Sequence, residues 1–143
     1  MTLKKTFDSS CNLLRGWEPS TIAPLMEIKD PVHGTILLTS AETQVIDSRA
    51  FQRLRLIKQL GFSEFSFPGA THSRYIHSLG VCHIAGLAFE AIFNNFTFST
   101  PEVRARFKQV VRLAALLHDI GHGPLSHATE EVMPPLEQLK IDD

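Results

Sequence analysis

The stretch LAALLHDIGHGPLSH, from Leu113 to His127, places three histidines and one aspartate at the end of the most apolar run of the sequence. Imidazole nitrogens and carboxylate oxygens bind borderline divalent metals, and imidazole also transfers protons near neutral pH. Asp119 is expected in the last turn of a helix, where the negative end of the helix dipole disfavours a carboxylate. A cation must therefore balance Asp119, either Arg112 two turns earlier or a divalent metal ion.

His77 and His118 favour the metal ion. Each falls within a stripe of apolar residues at helical spacing, so both rings are expected to face the core and to meet. The stripes are Val81, Ile84, Ala85, Ala88 and Ile92 on the first helix, and Phe107, Val110, Val111, Ala114 and Leu117 on the second. One such histidine alone is usually a hydrogen-bonded core residue. A metal ion shared with Asp119 explains both histidines and the carboxylate together.

Hydrolysis of a phosphate-bearing substrate is the reaction that these residues favour. His122 and His127 follow on a turn shaped by glycine and proline, where their rings can reach a substrate beside the metal and move a proton. Arg74 precedes His77 by three residues on the same side of its helix, and its fork of donors fits phosphate oxygens. A surface arginine without a ligand remains the alternative.

An earlier helix carries a second polar face. Gln52, Arg55 and Gln59 recur at spacings of three and four residues, so they are expected to share one side of that helix. The face contains a cation that could contact an anionic ligand. An ordinary solvated face is the alternative interpretation.

Composition limits the class of protein. A chain of 143 residues with 43% hydrophobic residues is long enough for one compact domain. A formal net charge of -1 gives no overall field toward nucleic acid or an anionic membrane. Charge or histidine interrupts every apolar run before the roughly 18 residues of a membrane span. Cys11 and Cys82 have no disulfide spacing and are expected to be ordinary thiols, which predicts a cytoplasmic location.

The elements that must position these residues follow from turn and capping signals. Residues 1–24 are expected to be an irregular leader, and LMEIKDPVHGTILLT predicts an accessory β-hairpin. A helix is predicted from Ser40 to a stop at Gly61, followed by a loop over SEFSFPGATHS. A long helix is predicted over about 73–94. A further helix is expected to start at Ser99, with Glu102 and Pro101 as signals, and to end near Ile120; a short helix over 126–133 follows.

Four motifs, in this order, are shared with a known family. They are DPVHG, DSRAFQRLRLIKQLG, FPGATHSRYIHSLGV, which contains HSRYIHSLGV with His77, and LLHDIGHGPLSH with His118 and Asp119. Over about residues 27–130 the sequence resembles the HD-domain metal-dependent phosphohydrolases, in their deoxynucleoside triphosphate triphosphohydrolase branch. The resemblance implies a mainly α fold, an HD-domain-like helical core with a small N-terminal β-hairpin.

The resemblance also implies roles for single residues. His77, His118 and Asp119 would bind a divalent metal ion, which could be Fe, Mn, Zn, Co or Mg. Arg74 and Gln59 would contact the substrate, and His122 would contact its phosphate. His127 would be the general acid, oriented by Glu130, where the family usually has an aspartate. Asp47, Gln52 and Arg55 would form an activator site. The substrate would be a deoxynucleoside triphosphate, the activator a guanine nucleotide, and the assembly a homo-oligomer, with no membrane or nucleic-acid partner indicated.

One implied ligand is missing from the sequence. In the family the fourth metal ligand is an aspartate well downstream, whereas Asp142 and Asp143 are expected to belong to a frayed tail. Residues 25–143 are therefore expected to be the N-terminal part of an HD phosphohydrolase domain, truncated and of low activity, with exposed apolar stripes that favour self-association. The alternatives are a non-catalytic nucleotide- or metal-binding module and an HD phosphohydrolase for another nucleotide, such as a guanosine alarmone.

Overall fold

The computed structural model describes residues 24–125 and Pro134 of the chain. Five predictions lie outside the described residues: the leader before Pro24, the short helix over 126–133, the roles of His127 and Glu130, and the terminal aspartates. The described part has a β-hairpin followed by helices, which confirms the mainly α fold with an N-terminal hairpin.

The hairpin pairs β1, Pro24–Asp30, with β2, Gly34–Thr39, in antiparallel register. The Asp30 carboxylate closes the turn by accepting from the backbone amides of Val32 and His33 at 2.9 and 2.8 Å. The hairpin was predicted correctly, but its accessory status was wrong. Ile36 and Leu38 of β2 are fully buried in the core cluster, because the period-two alternation of this strand places both on one face.

The helix predicted from Ser40 to Gly61 is broken into short pieces. α1 spans Ser40–Asp47, α2 spans Arg49–Gln52, and 3-10 turns follow at Arg53–Leu56 and Gly61–Phe65. Ser48 interrupts the helix in extended conformation and caps α2 by accepting from the Phe51 amide. The Gly61 stop was therefore wrong, and the second 3-10 turn extends into the predicted loop. A capping box between Thr39 and Glu42 starts α1.

Two long helices complete the described fold: α3, Arg74–Ile92, and α4, Pro101–Leu117. Both were predicted, with ends shifted by a few residues. The cap of α4 is Thr100, whose hydroxyl accepts from the Val103 amide at 3.3 Å, and not Ser99. His77 near the start of α3 meets His118 after α4, and Glu90 near the end of α3 meets Arg104 near the start of α4, so the helices run antiparallel.

The buried faces of α3 and α4 differ from the predicted stripes. Ile84 is 47% exposed, Ile92 72% and Val110 55%, whereas Leu79 and Leu116 belong to the core. α3 is apolar around most of its circumference, so apolar spacing could not select its buried side. On α4 the buried side contains a glutamine and an arginine, which hydrogen bonds to other elements make compatible with burial.

Among the described residues, α3 is long and apolar enough to cross a membrane by length and composition alone. A helix packed into a protein core passes the same test. α3 contributes Tyr75, Leu79 and Cys82 to the core and packs along α4.

Candidate metal centre

The start of α3 and the end of α4 bring three metal-ligand residues together. The Nε2 atoms of His77 and His118 lie 3.3 Å apart, and His118 Nε2 lies 3.2 Å from Asp119 Oδ1. One ligand atom from each of the three residues lies within 4.8 Å of the others. Donors about 2.1 Å from a shared ion, at about 90 to 109°, would be about 3.0 to 3.4 Å apart. Two of the three donor pairs therefore match a single divalent metal ion, and the third pair is wider, with His77 Nε2 lying 3.8 Å from Asp119 Oδ2.

Hydrogen bonding and burial prepare the two imidazoles to act as ligands. The Ala115 carbonyl lies 2.7 Å from His118 Nδ1 and can only accept, so Nδ1 carries the proton and Nε2 presents its lone pair toward His77. Burial lowers the pKa of His77, and the charge of Asp119 opposes that shift only in part. His77 is consequently neutral at pH 7, the form that binds a metal.

Arg74, and not Arg112, is the arginine that balances Asp119. Arg74 Nη1 donates to Asp119 Oδ2 at 2.6 Å, and the residues are 3% and 6% exposed. Burial raises the pKa of Asp119, but the hydrogen bond from Arg74 and the charge of that arginine outweigh burial and hold this pKa below its ordinary value. Arg74 is therefore a buried partner of the carboxylate, so the alternative of a surface arginine was wrong, and contact with phosphate stays a prediction.

Arg112 pairs with a different carboxylate. Its Nε donates to Glu42 Oε1 at 2.6 Å and its Nη2 to Glu42 Oε2 at 3.0 Å. The proposed Arg112–Asp119 pair was wrong because Arg112 lies on the side of α4 that faces Gly86, where an added Cβ would come within 2.8 Å of the guanidinium. Close packing against this glycine directs the arginine toward α1.

His122 and Gln59 occupy different positions around the centre. His122 Nε2 lies 3.5 Å from Asp119 Oδ1, so the structure brings this histidine to the predicted metal ligands. Gln59 follows the first 3-10 turn, and its backbone amide donates to the His72 carbonyl at 3.1 Å. The helical face that would join it to Gln52 and Arg55 does not form, so that prediction was wrong. The side-chain oxygen of Gln59 is buried without a hydrogen-bond partner in the described part.

The three residues assigned to an activator line one cavity of about 480 Å³ between β1, α1 and α3: Asp47, Gln52 and Arg55. Arg55 Nε donates to Gln52 Oε1 at 2.7 Å, and its guanidinium stacks 3.7 Å from the centre of the Tyr75 ring. The sequence did not predict that Tyr75 lines this cavity and stacks with Arg55. Its one sequence signal is an aromatic residue next to Arg74.

A larger cavity of about 800 Å³ adjoins the metal centre at His77. Its lining includes Val81, Ile84 and Ala85, which belong to the stripe predicted to be core. Asp30, His33 and His72 also line it. The apolar side of α3 is thus a cavity wall in the described structure.

Two imidazoles and a carboxylate that follows one of them, brought together where two packed helices meet, define a class of metal-binding site in helical proteins. Residues 74–141 match the family model described as HD domain. The chain is 42% identical over 116 residues to the deoxynucleoside triphosphate triphosphohydrolase SAMHD1 of Homo sapiens, covering 80% of this chain and 18% of that protein. The Dictyostelium discoideum homolog is 45% identical over 103 residues, covering 72% and 20%. The chain belongs to the HD-domain family and spans about a fifth of the length of these curated relatives.

Proposed function

We propose that the chain is part of a metal-dependent phosphohydrolase that cleaves deoxynucleoside triphosphates into deoxynucleoside and triphosphate. The observation that carries the metal dependence is the donor set of His77, His118 and Asp119, with separations compatible with one ion. The substrate class is supported by the names of the relatives, of which this chain covers about a fifth.

The three ligands would hold a divalent ion, which when bound supplies Lewis-acid activation of phosphate and water. Arg74 neutralises part of the Asp119 charge and sets the direction of its carboxylate. His122 stands beside the same carboxylate, from where it would contact a phosphate oxygen or carry a proton. In the proposal, Gln59 orients the substrate, His127 acts as general acid, and Glu130 orients His127.

We further propose that the cavity lined by Asp47, Gln52 and Arg55 takes a guanine nucleotide as activator, that the protein is a homo-oligomer, and that it works in the cytoplasm. The cavity offers a carboxylate for ring N–H donors and an arginine for phosphate. Oligomer formation would cover exposed apolar residues on α3 and α4.

Metal titration and an assay on the same preparation test the main proposal. Mn²⁺ binding and triphosphate release are measured for the parent chain, Asp119→Ala and the exposed control Gln44→Ala. We expect Asp119→Ala to weaken Mn²⁺ binding by more than the roughly 10- to 100-fold that loss of an outer hydrogen bond costs. Gln44→Ala should bind as the parent does.

The outcomes separate the alternatives. Metal-dependent triphosphate release that Asp119→Ala abolishes supports the triphosphohydrolase. Mn²⁺ binding with neither triphosphate release from a deoxynucleoside triphosphate nor pyrophosphate release from a guanosine alarmone would favour the non-catalytic module. Pyrophosphate release from the alarmone alone would identify the alarmone as the substrate, and absence of Mn²⁺ binding by the parent would refute the metal site.

A further inference from the structure

Arg53 holds the turn that carries the histidines after α4. Its Nη1 donates to the His122 carbonyl at 2.7 Å, and its Nη2 donates to the Ile120 carbonyl at 2.6 Å. These carbonyls follow the end of α4, where backbone acceptors lack partners within the helix. The planar fork of arginine fits two neighbouring acceptors, which the single ammonium of lysine cannot match.

Gly61 contacts the same turn further along the chain. With φ of +52° it has the left-handed conformation that favours glycine, and an added Cβ would lie 2.7 Å from the Leu125 carbonyl oxygen. Leu125 itself has φ of +65°, which is unfavourable for leucine. The segment from Arg53 to Gly61 therefore fixes the turn at two places, residues 120–122 and residue 125.

The path of this turn decides where two site residues point. The His122 amide donates to the Asp119 carbonyl at 3.1 Å, and the His122 ring lies 3.5 Å from the Asp119 carboxylate. Both carbonyls held by Arg53 lie within three residues of Asp119. Movement of this backbone would move the His122 ring and the Asp119 carboxylate together.

We propose that Arg53 is a positioning residue that sets the geometry of Asp119 and His122 through the backbone of residues 120–122. Its relevance to catalysis rests on the proposed function, whereas its effect on the turn does not. Its two bonds to this turn are to main-chain carbonyls, so the action is indirect. The role of Arg53 therefore differs from that of the metal ligands and the substrate-binding residues, which would contact the metal or the substrate directly.

Arg53→Lys tests the proposal because it keeps the charge and removes the fork. Arg49→Lys is the matched control, since Arg49 is exposed on α2. Amide hydrogen exchange and the ring ¹H–¹⁵N signals of histidine are recorded for the metal-free chain. We expect the His122 amide of Arg53→Lys to exchange about 10-fold faster and its ring signal to shift, with the Ile36 amide in β2 unchanged.

Uniformly faster exchange, with Ile36 included, would show that Arg53 only stabilises the fold and would overturn the proposal. An unchanged His122 signal and exchange rate would overturn it as well. Mn²⁺ binding provides a second measurement, with about 10-fold weaker binding expected for Arg53→Lys and no change for Arg49→Lys. If the parent binds no Mn²⁺, the proposed function fails, and the exchange data still decide the role of Arg53.

Discussion

Two buried ion pairs connect distant parts of the chain, and their carboxylates differ in how many of their oxygens accept hydrogen bonds. Glu42 is fully buried and accepts from Arg112 at 2.6 and 3.0 Å, from Gln109 at 3.2 Å and from the Thr39 amide at 2.8 Å. Both of its oxygens are occupied by fixed donors. This pair joins α1 to α4 and closes part of the core.

Within the part of the chain that the structure describes, the Asp119 carboxylate has a fixed donor on one oxygen only. Oδ2 accepts from Arg74 at 2.6 Å, whereas Oδ1 faces the Nε2 atoms of His118 and His122 at 3.2 and 3.5 Å. Imidazole nitrogens are themselves metal ligands, so Oδ1 and His118 can share an ion. A carboxylate with all acceptors filled is structural, and one with an oxygen turned toward imidazoles is prepared to bind a cation.

Removing each arginine in turn tests the difference between the two carboxylates. We expect Arg112→Met to lower the free energy of unfolding by about 3 to 5 kcal/mol, because it leaves the Glu42 carboxylate buried without its cation. Arg74→Met should cost less, because loss of the arginine charge raises the pKa of His77, whose Nε2 lies 3.8 Å from Asp119 Oδ2 and can then carry a compensating proton. Urea denaturation of both variants measures the two losses.

The exposed Arg49 provides the control for these two variants. Arg49→Met should change the free energy of unfolding by no more than about 0.5 kcal/mol. Equal losses for Arg112→Met and Arg74→Met would contradict the distinction between a closed and an open carboxylate.

Adding Mn²⁺ should then separate the two pairs further. A ligand at about 100 times its dissociation constant stabilises the folded state by about 2.7 kcal/mol. We expect Mn²⁺ to narrow the deficit of Arg74→Met relative to the parent, because the ion supplies positive charge at Asp119. The deficit of Arg112→Met should remain, since Glu42 is closed off by its own donors. Denaturation with and without Mn²⁺ provides the measurement.

A reversed result would refute this interpretation of Asp119. If Mn²⁺ restored the free energy of unfolding of Arg112→Met and left that of Arg74→Met unchanged, Glu42 would be the carboxylate that is accessible to ions. Buffer that contains EDTA and no divalent metal ion serves as the reference condition for both variants.

The sequence predicted the meeting of His77, His118 and Asp119 because local signals determine it. The histidines stand at the facing ends of two strongly helical segments joined by a short connection, and such segments pack antiparallel. The hairpin was predictable for a similar reason, since Asp30 and Gly34 supply the turn chemistry between two β-prone runs.

The partners of the arginines could not be predicted in the same way. Arg112 pairs with a residue 70 positions earlier, and Arg74 pairs with one 45 positions later. Helical spacing describes neighbours on one helix and contains no information on such contacts. The buried side of α4 was missed for the same reason, because pairing with Glu42 draws the polar face of this helix inward.

The smallest expected effect is the pH dependence of the Glu42 pair. Burial raises the pKa of Glu42, but the hydrogen bonds from Arg112 and the Thr39 amide outweigh burial. The pKa therefore lies below its ordinary value of 4.5. The folded chain therefore keeps this carboxylate charged at a pH where the unfolded chain binds a proton. Its contribution to stability is present above pH 4.5 and is lost as the pH falls through the folded-state pKa.

Glu42→Gln isolates this contribution, because the other carboxylates titrate in both proteins and cancel in the difference. We expect the parent to be more stable than Glu42→Gln by a constant amount at neutral pH, and the two free energies of unfolding to converge as the pH falls below 4.5. Urea denaturation from about pH 7 downward measures both curves. If the difference between the two free energies of unfolding stays constant through pH 4.5, or grows below it, the folded state does not favour the charged form of Glu42. The Glu42–Arg112 pair would then owe its stability to packing against Gly86 and Cys82 instead of to charge.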